Sequence, residues 1–340
     1  MFRIIFLSIV CLACSSNIFS QPSLNQMDAK GKKQGKWIKK DANGRPIYEG
    51  TFKDDKPVGE FKYYYDTGEL KSDMMFSENS SVCRTKHYFP EGILMAEGKY
   101  VNEKRDSIWK FYNAPNALIS EETYMNGKKN GVEKNYSPQG IVIEEKNWKD
   151  SVQHGAFKKY YEDGSVQEEG VYNTGFLEGE VKFYFPGGKI AMTGMYQHSL
   201  KHGKWVQYNN KGQVELVENY NLGDLYGYYA EWYEKDGTPK LKGEYKQGKK
   251  NNKWTYFDEK GKLEKDSTFF VGYINGMCTE YYSDGKKKNE TNYYLSHPTG
   301  KRMEWDENGN VIKEENYKSI DEIKKQMIQE EKEKKKKREE

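Results

Sequence analysis

The sequence has little from which to build a thick hydrophobic core. Only 35% of its 340 residues are hydrophobic and 31% are charged. That balance argues against the two or three ordinary globular domains that this length would normally suggest. A surplus of one charge is also missing, because 55 basic residues stand against 52 acidic ones. With no strong basic excess to neutralise phosphates, nucleic acid is not expected as a partner. Cysteine is scarce: there are four, and Cys11 and Cys14 fall within the first twenty residues. Past those residues no apolar run approaches the roughly twenty that cross a bilayer, so no transmembrane span is expected. Aromatic residues are plentiful, at 15% with 28 Tyr, which is too many for a disordered chain. Together with 32 Gly they suggest many short strands joined by tight turns.

The first twenty residues read as an export signal. Arg3 supplies a positive start, and Ile4 to Ala13 form an apolar run too short to span a membrane. Two endings compete. Cleavage after Ser20 would leave Gln21 at the N-terminus, whereas lipidation of Cys14 would anchor the protein. Soluble export is preferred, because Cys11 stands where a lipidation box has an aliphatic residue. The expected location is periplasmic, outer-membrane-associated or extracellular.

A period of 24 residues dominates the rest. Its frame is a Gly at positions 35, 59, 131, 155, 179, 203, 227, 276 and 300, with Cys83, Ser107 and Asn252 in the same place. One extra residue falls between Gly227 and Asn252, and twelve units fill 35–318. With the frame residue as position one, position six is nearly always aromatic, as in Tyr64, Tyr160 and Tyr184. Position ten is usually Gly, position twelve usually aliphatic, and position eighteen always aromatic. A strand, a turn needing the positive φ of glycine, and a returning strand account for this order. The frame glycine is expected to precede the first strand, and a polar stretch such as Ser77 to Val82 to link one hairpin to the next. One hairpin is marginal alone, so the units must stack. The fold class expected is therefore all-β: an elongated array of about twelve antiparallel hairpins, or roughly 24 strands, closed by a C-terminal α-helix. Cys83 and Cys278 lie about eight units apart in it, too far for a disulfide.

A run such as Gly155-Ala156-Phe157-Lys158-Lys159-Tyr160-Tyr161-Glu162-Asp163-Gly164 resembles the MORN repeat in its variant form. The resemblance implies an elongated antiparallel β-array. It also implies roles seen among such proteins: scaffolding of other proteins, phospholipid contact, and antitoxin-like or immunity-like activity. It supplies no catalytic residue.

The sequence offers no catalytic constellation and no metal or cofactor site. The five His are scattered, and carboxylates such as Glu144-Glu145 and Glu168-Glu169 recur with the repeat, as a solvated face does. Position three carries Trp37, Phe61, Trp109, Phe157, Trp205 and Trp254, alternating beyond the first unit with other residue types. Two readings stand: a packed second layer, or an exposed aromatic ladder that stacks on sugars or anchors a protein. At the C-terminus Ser319 and Glu322 make a capping box, with Ile320, Ile323 and Met327 at helical spacing. This helix is expected to cover the open edge of the last hairpin. The organisation is then a signal at 1–20, a linker at 21–34, the array at 35–318 and a charged helical tail at 319–340. The function expected is a non-enzymatic, exported scaffold for a protein partner in the bacterial envelope or outside the cell, with glycan or cell-wall binding and an antitoxin-like role as alternatives.

Overall fold

The computed structural model describes residues 23–113, 116–235 and 237–339. The expected export signal at 1–20 and the candidate lipidation site Cys14 lie outside the described residues. The chain divides into two compact bodies, one ending at Asn116 and one starting at Ala117. Both are built from the same antiparallel hairpin. Twenty-eight strands and one helix are described in all. One two-residue strand, Gln26–Met27, precedes the array, and three long strands are each broken in two, for example Val152–Gln153 and Gly155–Tyr160. Rejoined, the array has the number of strands that its period demands.

The register repeats unit by unit. In the second unit, Gly59 pairs with Phe76, Phe61 with Met74, Tyr63 with Ser72, and Tyr64 with Leu70, so position thirteen is skipped as a bulge. The same shift recurs at Tyr160–Val166 and Tyr184–Ile190. Gly68 closes the hairpin with φ +104°, and Gly164 does so with +81°. At Asp41, Asp258 and Asp306 the turn is held by a carboxylate that accepts backbone N–H bonds two and four residues on.

The frame glycine does not precede the strand, as expected, but lies within it. The strand Lys56–Tyr64 runs through Gly59, and Leu200–Tyr208 through Gly203. Pairing with the previous hairpin jumps from Gly50–Phe61 to Thr51–Val58, which leaves Gly59 and Glu60 as extra residues. This second bulge needs left-handed backbone, and Gly59 and Gly203 have φ +64° and +65°. Ser107 (+60°) and Asn252 (+57°) hold the same conformation. Cys83 does not: its pairing with the preceding strand runs without a shift, and its side chain is buried. The links between hairpins are mostly tight turns rather than polar loops. Asp54-Asp55 and His198-Ser199 each have two positive φ values and join directly paired residues, the geometry that suits strand twist. The stretch at Ser77 to Val82 is the looser exception, closed by Ser77 N–H to the Val82 carbonyl at 2.8 Å.

The core is a file of rings. Position three of one strand sits among position-eighteen aromatics: Tyr100 meets Trp109 edge-on at 4.8 Å, Tyr196 meets Trp205 at 5.1 Å, and Tyr245 meets Trp254 at 5.0 Å. Each such contact is worth about 0.5–1.5 kcal/mol beyond burial itself. The alternation at position three has a steric cause. Gly98, Gly194 and Gly243 occupy position sixteen of the intervening units, and a Cβ at any of them would overlap Trp109, Trp205 or Trp254 of the unit that follows. Each of these three tryptophans therefore requires a bare backbone in the unit before it, whereas Phe157, preceded by Lys146 at position sixteen, lies over Gly170 of its own unit.

The helix α1 (Ile320–Glu339) starts as its sequence predicts. The Ser319 N–H and hydroxyl both donate to Glu322 at 2.7 Å, and Ile323 is buried. It packs against the strand His297–Trp305. On the last strand, Val311–Asn316, the Val311 and Ile312 side chains are exposed.

Candidate protein-interaction face

Side chains alternate across a strand, so the file of rings takes one face of each hairpin and leaves the other to positions two, four, fifteen and seventeen. Phe61, Trp109, Phe157, Trp205 and Trp254 are all at most 4% exposed. They are core, and the reading of them as an exposed ladder is corrected. Trp37 alone is half-buried, because it belongs to the first unit and only Gln26–Met27 precedes it. The tryptophan rings are covered by cations four residues earlier. Lys33 lies over Trp37 at 5.0 Å, Arg105 over Trp109 at 4.7 Å, Lys201 over Trp205 at 4.4 Å and Lys250 over Trp254 at 4.0 Å. Where position three is Glu133, Lys129 keeps the same place and makes an ion pair at 2.7 Å instead. The indole N–H groups of Trp109, Trp205 and Trp254 donate to the carbonyls of Lys99, Met195 and Glu244, beside the break in strand pairing, at 3.0–3.1 Å. These rings are satisfied and enclosed, which removes the basis for stacking on glycan.

The opposite face carries a ladder. The position-six tyrosine of one unit donates to the position-fifteen carboxylate of the unit before it. The distances are 2.5 Å for Tyr64–Glu49, 2.7 Å for Tyr112–Glu97, 3.0 Å for Tyr160–Glu145 and 2.6 Å for Tyr184–Glu169. A position-four lysine completes the rung: Lys134 to Glu145 and Lys158 to Glu169, both at 3.1 Å. Burial, followed by the bond to the carboxylate, pushes Tyr64, Tyr136, Tyr160 and Tyr184 up to about 12. The Tyr184 hydroxyl, with help from Lys158, holds Glu169 below the usual carboxylate range. Neutral phenols and ionised carboxylates are thus locked in place at neutral pH.

Between the rungs, exposed apolar side chains occur where strand alternation calls for polar ones. Met75 and Ile108 are each 55% exposed. In the N-terminal body they flank an open groove of ≈ 510 Å³ whose rim carries Glu60, Asp73, Arg84, Lys86 and Lys110. In the C-terminal body Val132, Val171, Met195, Tyr228 and Met277 take the same positions and are also exposed. An apolar floor inside a rim of both charges is the composition of a protein-binding surface. The signal was present in the sequence as single aliphatics at positions two and seventeen, but the aromatic alternation at position three masked it. Cys83 and Cys278 are buried free thiols, and burial pushes the Cys83 thiol up to about 11, which leaves it unreactive.

Five segments match the MORN repeat variant. They are residues 57–78, 153–174, 177–198, 274–293 and 298–319, less than half of the chain. Each begins two residues before a frame glycine, so the MORN-variant frame and the 24-residue period coincide. No curated protein matches the chain. Among solved structures, the TcdB2-TccC3-TEV crystal structure is 11% identical with a TM-score of 0.20, covering 86% of this chain and 18% of that one. The Tc holotoxin pore of Photorhabdus luminescens is 13% identical with a TM-score of 0.18, covering 82% and 17%. The chain thus spans less than a fifth of those chains, and likeness at this level carries nothing about how it works.

Proposed function

We propose that the chain is a non-enzymatic scaffold that holds a protein partner on its ladder face, and that it does so after export, in the bacterial envelope or outside the cell. The observation that carries the binding reading is the groove between Met75 and Ile108, where apolar side chains stand exposed inside a rim of fixed charges. The chemistry of the face is spread over successive MORN-variant units rather than gathered at one point, which suits an extended contact. Tyrosines and carboxylates already bonded to each other lose little freedom on binding, and that favours affinity. The export reading rests on the N-terminal signal.

The test is capture of a crosslinked partner from envelope extract by the wild-type chain and by a Met75→Glu/Ile108→Glu variant. Both sites are exposed, so the fold should survive, as circular dichroism can verify. Loss of at least about tenfold in capture is expected from charging the centre of an interface. Equal capture by the two proteins would overturn the reading.

A further inference from the structure

The turns that join consecutive hairpins form a row, and in the C-terminal body one stretch of that row changes character. At the residue following the two turn residues, five successive turns carry Lys128, Val152, Phe176, Leu200 and Asp224. The three apolar members are each at least 45% exposed. They are also continuous. Val152 and Leu200 lean onto the next turns, where a Cβ at Gly175 or Gly223 would meet them at 3.5 and 3.6 Å. Phe176 packs edge-on against His198 at 5.9 Å. The strip is bounded by a cation at one end and an anion at the other, and exposed apolar strips of this kind mark interaction sites.

The order of the strip names its occupant. A two-fold axis through Phe176 sets Lys128 of one copy against Asp224 of the other, Val152 against Leu200, and Phe176 against itself. The residue before each of these is small throughout: Gly127, Ser151, Gly175, Ser199 and Gly223, a series that reads the same in both directions. Two backbones can therefore approach closely along the whole strip. Two rows of side chains thus agree on one axis, the apolar strip in size and its ends in charge, which is the self-complementarity that an isologous contact requires. We infer that the chain self-associates as an antiparallel pair through this row of turns, centred on Phe176. The Lys128–Asp150 ion pair within one copy, at 3.6 Å and largely exposed, exchanges readily for the contact across the axis. Sheet twist confines the contact to a few turns, so the pair is weaker than a permanent dimer of standard interface size. The inference uses a different surface from the ladder face and does not depend on it.

The test is sedimentation velocity of the full-length chain from about 1 to about 100 µM, the range in which a small specific interface associates. A monomer–dimer equilibrium is expected. Phe176→Glu, which opposes two like charges on the axis, should weaken it by at least about tenfold. Lys128→Glu and Asp224→Lys should each weaken it, and the two together should restore it, because the exchanged charges meet again. All these side chains are exposed, and unchanged circular dichroism will show that the fold is kept. A chain that stays monomeric across the range overturns the inference. So does a dimer indifferent to Phe176→Glu, or a double variant no better than its single parents.

Discussion

The indole of Trp205 lies directly over the α-carbon of Gly194, the position-sixteen residue of the unit before it. A methyl group added at Gly194 would have to share space with the ring, and Trp205 is only 1% exposed with no room to retreat. Gly194→Ala should therefore destabilise the C-terminal body by about 1–3 kcal/mol through overpacking. Trp205→Ala should cost about 3–5 kcal/mol. The two changes made together should cost less than the sum of the singles, since the clash exists only when both partners are present. Urea unfolding of the four proteins measures this, and strict additivity would contradict the ring-over-glycine account.

The bulge glycines make a different demand. Nothing lies within 4 Å of a Cβ at Gly203, so a substitution there meets backbone strain alone. Gly203→Val should cost about 1–2 kcal/mol, because a branched residue is forced to positive φ. Gly203→Asn should cost less than half of that, as Asn252 already holds the same place at φ +57°. Thermal unfolding of the two variants decides the order.

His87 gives the N-terminal body an acid limit. Its Nδ1 lies 2.8 Å from the Ser72 hydroxyl, its Nε2 faces the Tyr100 hydroxyl, and its ring stacks on Trp109. Burial first, and then Arg105 and Lys71, depress its pKa below the ordinary histidine value. A depressed folded value means that the unfolded chain takes up the proton more readily. Stability is complete above about pH 6.5 and falls as the pH drops from there through the folded value. His87→Gln should flatten that part of the profile of melting temperature against pH, and an unchanged slope would show that other groups govern it.

The ladder tyrosines set the alkaline limit. Their folded values are raised to about 12, so their contribution is complete below the ordinary phenol value of about 10 and is lost as the pH rises from there through 12. Absorbance titration at about 295 nm should show these phenols ionising late, together with loss of the strand signal in circular dichroism. Early ionisation without unfolding would mean that the tyrosine–carboxylate rungs do not hold.

Much of the fold was legible because the period repeats one physical solution. The turn glycines, the position-eighteen rings and the Ser319–Glu322 capping box were all in the sequence and formed as expected. Position three was harder. Its aromatics look like an exposed ladder until the residue four places earlier is considered, because Lys33, Arg105, Lys201 and Lys250 are what cover the tryptophans. The bulge at the frame residue was also hidden: a glycine before a strand and a glycine within a bulged strand give the same spacing, and only pairing on both sides separates them. The interaction face was least visible, since Met75 and Ile108 belong to different units and share a groove only once the register is set.

The central claim is that the ladder face, and not the ring face, meets the partner. Photo-crosslinking residues placed singly at Ile108, on the ladder face, and at Tyr63, exposed on the ring side, test it in the producing cell. A discrete protein adduct from position 108 and none from position 63 is the predicted result. The same adduct from both positions, or an adduct from position 63 alone, would contradict it.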